Sequence, residues 1–121
     1  MRIFKTRIFH HWTEKIGLDN NTLHQATHEL IHGQYAACLG SNLYKKRVAF
    51  GGKGRRGGLR LIIAFKHEAR TFFIYGFSKN KKGNVTKKEV EALKELAKAY
   101  LTLNEEQIQK AIETEKFIEI T

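Results

Sequence analysis

The chain has 121 residues, of which 41% are hydrophobic, and a formal net charge of +10. This length predicts one domain over residues 1–121, and the apolar runs exclude a disordered chain. No run approaches the roughly 20 apolar residues of a membrane span. No signal-peptide pattern follows Met1, so we expect a soluble cytoplasmic protein. The one cysteine, Cys38, excludes an intrachain disulfide, and we expect it to be a small buried residue.

The first third of the chain predicts a strand followed by two helices. Residues 2–6 alternate weakly between apolar and polar, which predicts a short strand. The following apolar residues recur at helical spacing and predict a helix over residues 8–16. Capping residues at positions 19–21 and a glycine at position 33 bound a second helix.

The middle of the chain changes to a period of two, which predicts three antiparallel strands. Residues 43–50 form the first strand, with Lys45 and Arg47 together on one face. After a glycine-rich loop, residues 59–65 form the second strand, in which apolar side chains occupy one whole face. Residues 72–77 are apolar throughout and predict a central strand that is buried on both sides.

The last third predicts two capped helices and a short strand. Residues 86–89 match a capping box and open a helix that continues to Leu101. Residues 104–107 repeat the capping pattern before a shorter helix, and residues 117–120 predict a final strand. The fold class is therefore α+β, a small antiparallel sheet with an N-terminal helical pair and C-terminal helices.

Nearly all of the positive charge lies in residues 43–82, which contain twelve Lys and Arg and one acid, Glu68. The first 42 residues hold four cations and three acids, and residues 83–121 hold six cations and eight acids. A focused basic field attracts polyanions, and a DNA or RNA phosphate backbone is the natural first hypothesis.

Arg60 is the only charge inside an otherwise apolar strand. Burying an unpaired guanidinium is costly, so we expect either an ion pair, with Glu68 or an acid of the last helix, or a bound anion. If the first two central strands pair, Arg60 joins Lys45 and Arg47 on one surface. Repulsion within such a cluster lowers a lysine pKa and suits the amine to proton transfer. The alternative is a solvated sheet face without catalytic function.

Two loops carry further cations. The glycine-rich loop between the first two central strands contains Lys53, Arg55 and Arg56. It lacks the pattern of a nucleotide-binding P-loop, which favours a flexible basic hairpin that contacts phosphates. The segment after the buried strand contains Lys79, Lys81 and Lys82. This segment is either a functional loop or a solubilising turn.

The histidines do not predict a metal centre. His24, His28 and His32 recur at every fourth position of one helix, but no cysteine or acid is placed to complete a site. We expect a solvated polar face there, with no metal and no cofactor.

Three segments together resemble the RelE/HigB family of bacterial toxins. They are LYKKRVA at 43–49, KGRRGGLRLI at 53–62 and FIYGFSKN at 73–80. The similarity continues through the helix to Leu101, whereas the first 42 residues match in layout only. The resemblance implies a toxin that is neutralised by an antitoxin, expected to be a helix-turn-helix protein. It also implies metal-independent endoribonuclease activity on messenger RNA in the A site of the 70S ribosome.

The same resemblance implies roles for individual residues. Lys45 and Arg47 match a cationic pair that stabilises phosphate, with Lys45 as proton acceptor. Arg60 matches the strand arginine that contacts the scissile phosphate, and Lys79 matches the basic position after the last strand. The loop cations are implied to dock RNA and the ribosome, and they are Lys53, Arg55, Arg56, Lys81 and Lys82. Residues 83–85 stand where some members place a tyrosine or histidine, which leaves the general acid unassigned.

Two other classes of function remain open at this point. A gyrase-poisoning relative with the same fold would act on a protein and would not need the three strand cations. A non-catalytic RNA-binding module would interleave exposed aromatic residues with its cations for base stacking. Most of the phenylalanines lie instead in runs that predict core, at positions 65, 72, 73 and 77.

Overall fold

The computed structural model describes residues 1–52, 54 and 58–121, and six strands and four helices lie within them. In chain order these are β1 (Arg2–Thr6), α1 (Arg7–Ile16), α2 (Asn20–Ile31), β2 (Ala37–Gly40), β3 (Leu43–Val48), β4 (Leu59–Lys66), β5 (Arg70–Ser78), α3 (Lys87–Leu101), α4 (Glu105–Glu113) and β6 (Phe117–Ile120). The predicted α+β class is confirmed. Strand β2 was not predicted; it is held in the sheet by pairing with β3, which a local pattern does not show.

The strands form one sheet in the order β2-β3-β4-β5-β1-β6. Neighbouring strands are antiparallel except β1 and β5, which run parallel with Phe4 opposite Phe72. The sheet is therefore mixed rather than purely antiparallel. The N-terminal strand enters it between β5 and β6, which are both far away in sequence.

Helices cover both faces of this sheet. On the face here named the first face, α1 and α2 contribute Phe9 and Leu23 to a core shared with Phe73. On the opposite, second face, Leu93 of α3 and Ile108 of α4 pack in a separate core with strand residues. The central strands β4 and β5 supply side chains to both cores, as the apolar run of β5 predicted.

The predicted helix caps are present at α3 and α4. Thr86 and Glu89 form a capping box at α3, and Asn104 and Gln107 form another at α4. Each box satisfies backbone N–H groups that the first helical turn leaves without partners. Across residues 1–52, 54 and 58–121, no helix combines the length and apolar character needed to cross a membrane.

Cys38 is exposed, so the expectation that it is buried was wrong. It lies on β2, which pairs with β3 and is the last strand at its end of the sheet. A side chain on such an edge strand has fewer neighbours than one on a central strand. The sequence pattern contained no signal for this edge position.

A buried ion pair fixes helix α2 to strand β3. The Lys46 ammonium lies 2.6 Å from a carboxylate oxygen of Glu29, and the two side chains are 3% and 13% exposed. Lys46 therefore points to the first face, between two residues that point to the second. Removing one partner of a buried ion pair leaves the other charge unpaired in a poorly solvated site. This loss typically costs about 3–5 kcal/mol of folding stability.

We expect Glu29→Ala to lower the free energy of unfolding by about 3 kcal/mol, because the buried Lys46 ammonium loses its carboxylate. Urea denaturation monitored by circular dichroism measures this change. The control is Glu95→Ala on α3, which removes an exposed carboxylate from Lys98 and should change stability by less than about 1 kcal/mol. Equal effects of the two substitutions would contradict a structural role for the buried pair.

Candidate functional site

The pairing of β3 with β4 brings three cations together on the second face of the sheet. Arg47 lies directly opposite Arg60, and Lys45 pairs with Ile62 on the same face. Directly opposite residues have Cβ atoms roughly 5 Å apart, so the two guanidinium groups start from adjacent positions. This confirms the predicted juxtaposition of the three cations.

Arg60 is buried, with 4% of its surface exposed. Its Nη1 donates to the Leu59 carbonyl at 3.3 Å. Burial lowers the pKa of its guanidinium, and the neighbouring Arg47 lowers it further. An arginine nevertheless stays charged at any physiological pH. The sheet therefore holds a fixed positive charge at this position.

Glu68 and Glu105, two of the acids considered from the sequence, lie away from Arg60. Glu68 lies in the turn after β4, roughly 25 Å along the strand from Arg60. Glu105, at the start of α4, binds Arg2 and Arg70 at the other end of the hairpin. Neither of these two acids lies beside the cation cluster.

Lys45 is half-buried beside the two arginines. Burial lowers the pKa of its ammonium most, and repulsion by Arg47 and then by Arg60 lowers it further. A lysine of lowered pKa is more often neutral near pH 7, and a neutral amine accepts protons. The cluster thus combines fixed positive charge with a candidate proton acceptor.

Asn84 is a contact of Lys45 that sequence reasoning missed. The Lys45 Nζ donates to the Asn84 Oδ1 at 3.3 Å, and the same oxygen accepts from the Val85 backbone N–H at 2.9 Å. The second bond orients the amide so that its oxygen points toward the lysine. From the sequence, this segment was noted only for its lack of an aromatic residue.

The cations after β5 lie at the same end of the sheet as Arg60. Lys79 is exposed, and its backbone N–H donates to the Gly58 carbonyl at 3.3 Å, which joins the end of β5 to the start of β4. Lys81 is exposed, whereas the Lys82 ammonium lies 2.9 Å from a Glu89 carboxylate oxygen. The other three predicted docking residues, Lys53, Arg55 and Arg56, lie outside the described residues.

The four phenylalanines of the central strands β4 and β5 are core residues. Side chains at Phe65, Phe72, Phe73 and Phe77 are all buried, as the sequence predicted. They offer no exposed faces on which bases can stack. In the part of the chain that the structure describes, no three His, Cys, Asp or Glu side chains are grouped to hold a metal ion.

Comparison with known families gives one result. The model of a family described as the RelE toxin of the RelE/RelB toxin-antitoxin system matches residues 1–120. The match therefore includes the N-terminal region, for which the sequence resemblance had rested on layout alone. No curated protein sequence matches the chain.

We expect Arg47→Gln to raise the pKa of the Lys45 ammonium, because the substitution removes a cation that disfavours the charged lysine. NMR titration of the lysine side-chain resonances measures the change. Arg7→Gln serves as control, because Arg7 binds carbonyls of Thr114 and Glu115 beside β6, four strands away from β3. An unchanged Lys45 titration in Arg47→Gln would show that the two side chains do not interact.

Proposed function

The chain belongs to the RelE family of toxins from toxin-antitoxin systems, and from this premise we propose that it is a ribosome-dependent endoribonuclease. Its substrate is messenger RNA in the ribosomal A site. One observation carries the proposal, namely the cluster of Lys45, Arg47 and Arg60 on one face of the sheet, in which the lysine pKa is lowered. The basic segment between β3 and β4, which contains Lys53, Arg55 and Arg56, supports a place in the HigB-like branch.

The reaction begins with attack of a ribose 2′-oxygen on the adjacent phosphorus. Lys45, as the neutral amine, accepts the 2′-hydroxyl proton while the new P–O bond forms. The P–O bond to the 5′-oxygen of the next nucleotide then breaks. The leaving 5′-oxygen takes a proton from solvent water, and Lys45 later returns its proton to solvent. The products are a 2′,3′-cyclic phosphate and a 5′-hydroxyl. No metal or cofactor is needed for this transfer.

Arg60 and Arg47 stabilise the negative charge that develops on the phosphate oxygens. A guanidinium presents several N–H donors in a planar fork and matches two phosphate oxygens at once. Arg60 is held by a central strand and by burial, so little reorganisation is needed when the charge appears. We assign stabilisation of the leaving 5′-oxygen to Lys79, which is exposed at the same end of the sheet.

Ribosome dependence is supported by the kinds of side chain that contact Lys45. Among the described residues near Lys45, the contacts are an amide and two arginines, and no carboxylate or histidine contributes to its pKa shift. Such a site supplies positive charge and one weak base. Its substrate must therefore be positioned by another molecule, and in this proposal that molecule is the ribosome. We propose that the loop cations Lys53, Arg55, Arg56 and Lys81 dock ribosomal RNA, with Lys82 adding charge beside Glu89.

We expect Arg60→Ala to reduce messenger cleavage by about 100-fold or more, through loss of a preorganised charge at the phosphate. Primer extension on a reporter message after brief induction measures cleavage. Arg60→Met tests the same loss while it retains apolar packing in the strand. Arg70→Ala is the matched control, since Arg70 is a strand arginine that binds Glu105 and the Leu103 carbonyl away from the cluster.

In-frame cuts confined to translated message, and absent in both Arg60 variants, are the result we expect. Cleavage that persists in folded Arg60→Met would remove Arg60 from the mechanism. Growth arrest with intact message would favour a protein target such as gyrase.

We also expect the cleavage rate on stalled ribosomes to rise with pH and then level off above the Lys45 pKa. Only the neutral amine accepts the proton, so activity is lost as the pH falls through that pKa. Arg47→Gln should move this rise to higher pH, because it raises the lysine pKa. Single-turnover rates across a pH series measure the shift separately from any change in the maximal rate. An unmoved profile would exclude Lys45 as the base.

A further inference from the structure

The hydrogen bond between Lys45 and Asn84 joins the cation cluster to the segment that leads into α3. The Lys45 Nζ donates to the Asn84 Oδ1 at 3.3 Å, although the two residues lie 39 positions apart in the chain. Lys45 is half-buried on β3, whereas Asn84 is exposed between β5 and α3. A lysine side chain is long and flexible, so a partner at its end restricts where the amine can lie.

The acceptor oxygen of Asn84 is itself held in place. Its Oδ1 also accepts from the Val85 backbone N–H at 2.9 Å, and Val85 packs against the core of the second face. The next residue, Thr86, caps α3 through its box with Glu89. Asn84 is therefore fixed to the start of a helix, and its oxygen can serve as a defined anchor for the amine.

The segment before Asn84 is anchored as well. The backbone N–H groups of Lys81 and Lys82 donate to the Ser78 carbonyl at 3.1 and 3.0 Å, which turns the chain at the end of β5. The Lys82 ammonium then lies 2.9 Å from a Glu89 carboxylate oxygen. The turn after β5 and the start of α3 thus both determine where Asn84 lies.

The acceptor at Lys45 is an amide, which carries no net charge. A carboxylate favours the charged lysine and raises its pKa, as the hydrogen bond to Glu89 does for Lys82. An amide oxygen accepts a similar but weaker bond, without a charge that would hold the proton on the amine. Burial, then Arg47 and then Arg60 lower the pKa of Lys45, and an amide partner largely preserves that lowering.

The charged groups around Lys45 come from its own strand, from β4 and from α3. Arg47 and Arg60 are the two cations of the cluster. The residue opposite Lys45 on β2 is Ala37, which is uncharged. The acids in the first turns of α3 have lysine partners of their own, in the pairs Glu89–Lys82 and Glu91–Lys94.

We propose that Asn84 is a positioning residue for the cleavage reaction, which holds the Lys45 amine by one N–H and leaves the nitrogen lone pair free for the 2′-hydroxyl proton. The inference rests on the proposed function, in which Lys45 is the base. Donation of one N–H to a fixed oxygen limits the directions in which the lone pair can point. Proton transfer needs a short and aligned approach, so this restriction raises the rate.

Two substitutions of Asn84 separate its position from its lack of charge. Asn84→Ala removes the acceptor, and we expect the maximal cleavage rate on stalled ribosomes to fall about tenfold or more. Asn84→Asp keeps an oxygen at the same place but adds a carboxylate. The rise of the rate with pH should then move upward by about one pH unit or more, while the rate at high pH stays near that of the parent.

Single-turnover rates of the purified full-length protein across a pH series measure both effects, and thermal unfolding checks that the variants are folded. A residue needed only for folding would not move the pH profile. A maximal rate that is unchanged in folded Asn84→Ala would overturn the proposal.

The matched control is Asn20→Asp. The Asn20 Oδ1 accepts from the Lys5 Nζ at the same distance, 3.3 Å, and Asn20 belongs to α2 on the opposite face of the sheet. The substitution adds the same charge to the same kind of contact, so the pH profile of cleavage should stay that of the parent. An equal shift from both Asp variants would reflect net charge alone and would overturn the role of Asn84.

NMR titration of the lysine resonances tests the contact without RNA, and Asn84→Asp should raise the pKa of the Lys45 ammonium. An unmoved Lys45 titration would overturn the inference and leave the proposed cleavage intact. A raised lysine pKa with an unmoved cleavage profile would exclude both Lys45 as the base and Asn84 as its positioning residue. If the parent protein does not cleave message, the proposed function fails and this role fails with it, although the titration still reports the contact.

Discussion

The pairing register of β3 with β4 is the constraint on which the site depends. Side chains of a strand alternate between faces, so one register sends Lys46 to Glu29 on the first face and Lys45 and Arg47 to the second. The same register sets Arg47 opposite Arg60. A slip of one residue would exchange these faces, which would bury two cations beneath α2 and expose the partner of Glu29. The buried ion pair therefore fixes the register that assembles the cluster.

Holding three cations together opposes folding, and the surrounding cores must offset that repulsion. Strands β4 and β5 are buried on both faces, so they give Arg60 a rigid support. The repulsion also contributes to the lowered pKa of Lys45, on which the proposed chemistry depends. A nearby carboxylate would relieve the repulsion, but it would also hold the lysine in its charged form and compete with phosphate. Stability and the proposed chemistry thus make opposite demands on the same residues.

Two surfaces of different character meet at one end of the sheet. The second face carries the cation cluster, which suits a phosphodiester. The groove between α1 and the end of β5, here named the α1 groove, is apolar with lysines only at its edge. Segments that follow β5 contribute to both, since Lys79 lies near the cluster and Lys81 lines the groove.

The sequence by itself determined the features that short-range physics controls. Alternation placed Lys45 and Arg47 on one face of their strand, and capping residues marked α3 and α4, because both signals need only neighbours along the chain. That Arg60 joins the two cations depended on the pairing of β3 with β4. The tertiary structure decided the parallel pairing of β1 with β5, the exposure of Cys38, the pairing of Lys46 with Glu29, the Asn84 contact and the α1 groove. These depend on which segments meet in space. A local period specifies which residues share a face, but not which distant element packs against that face.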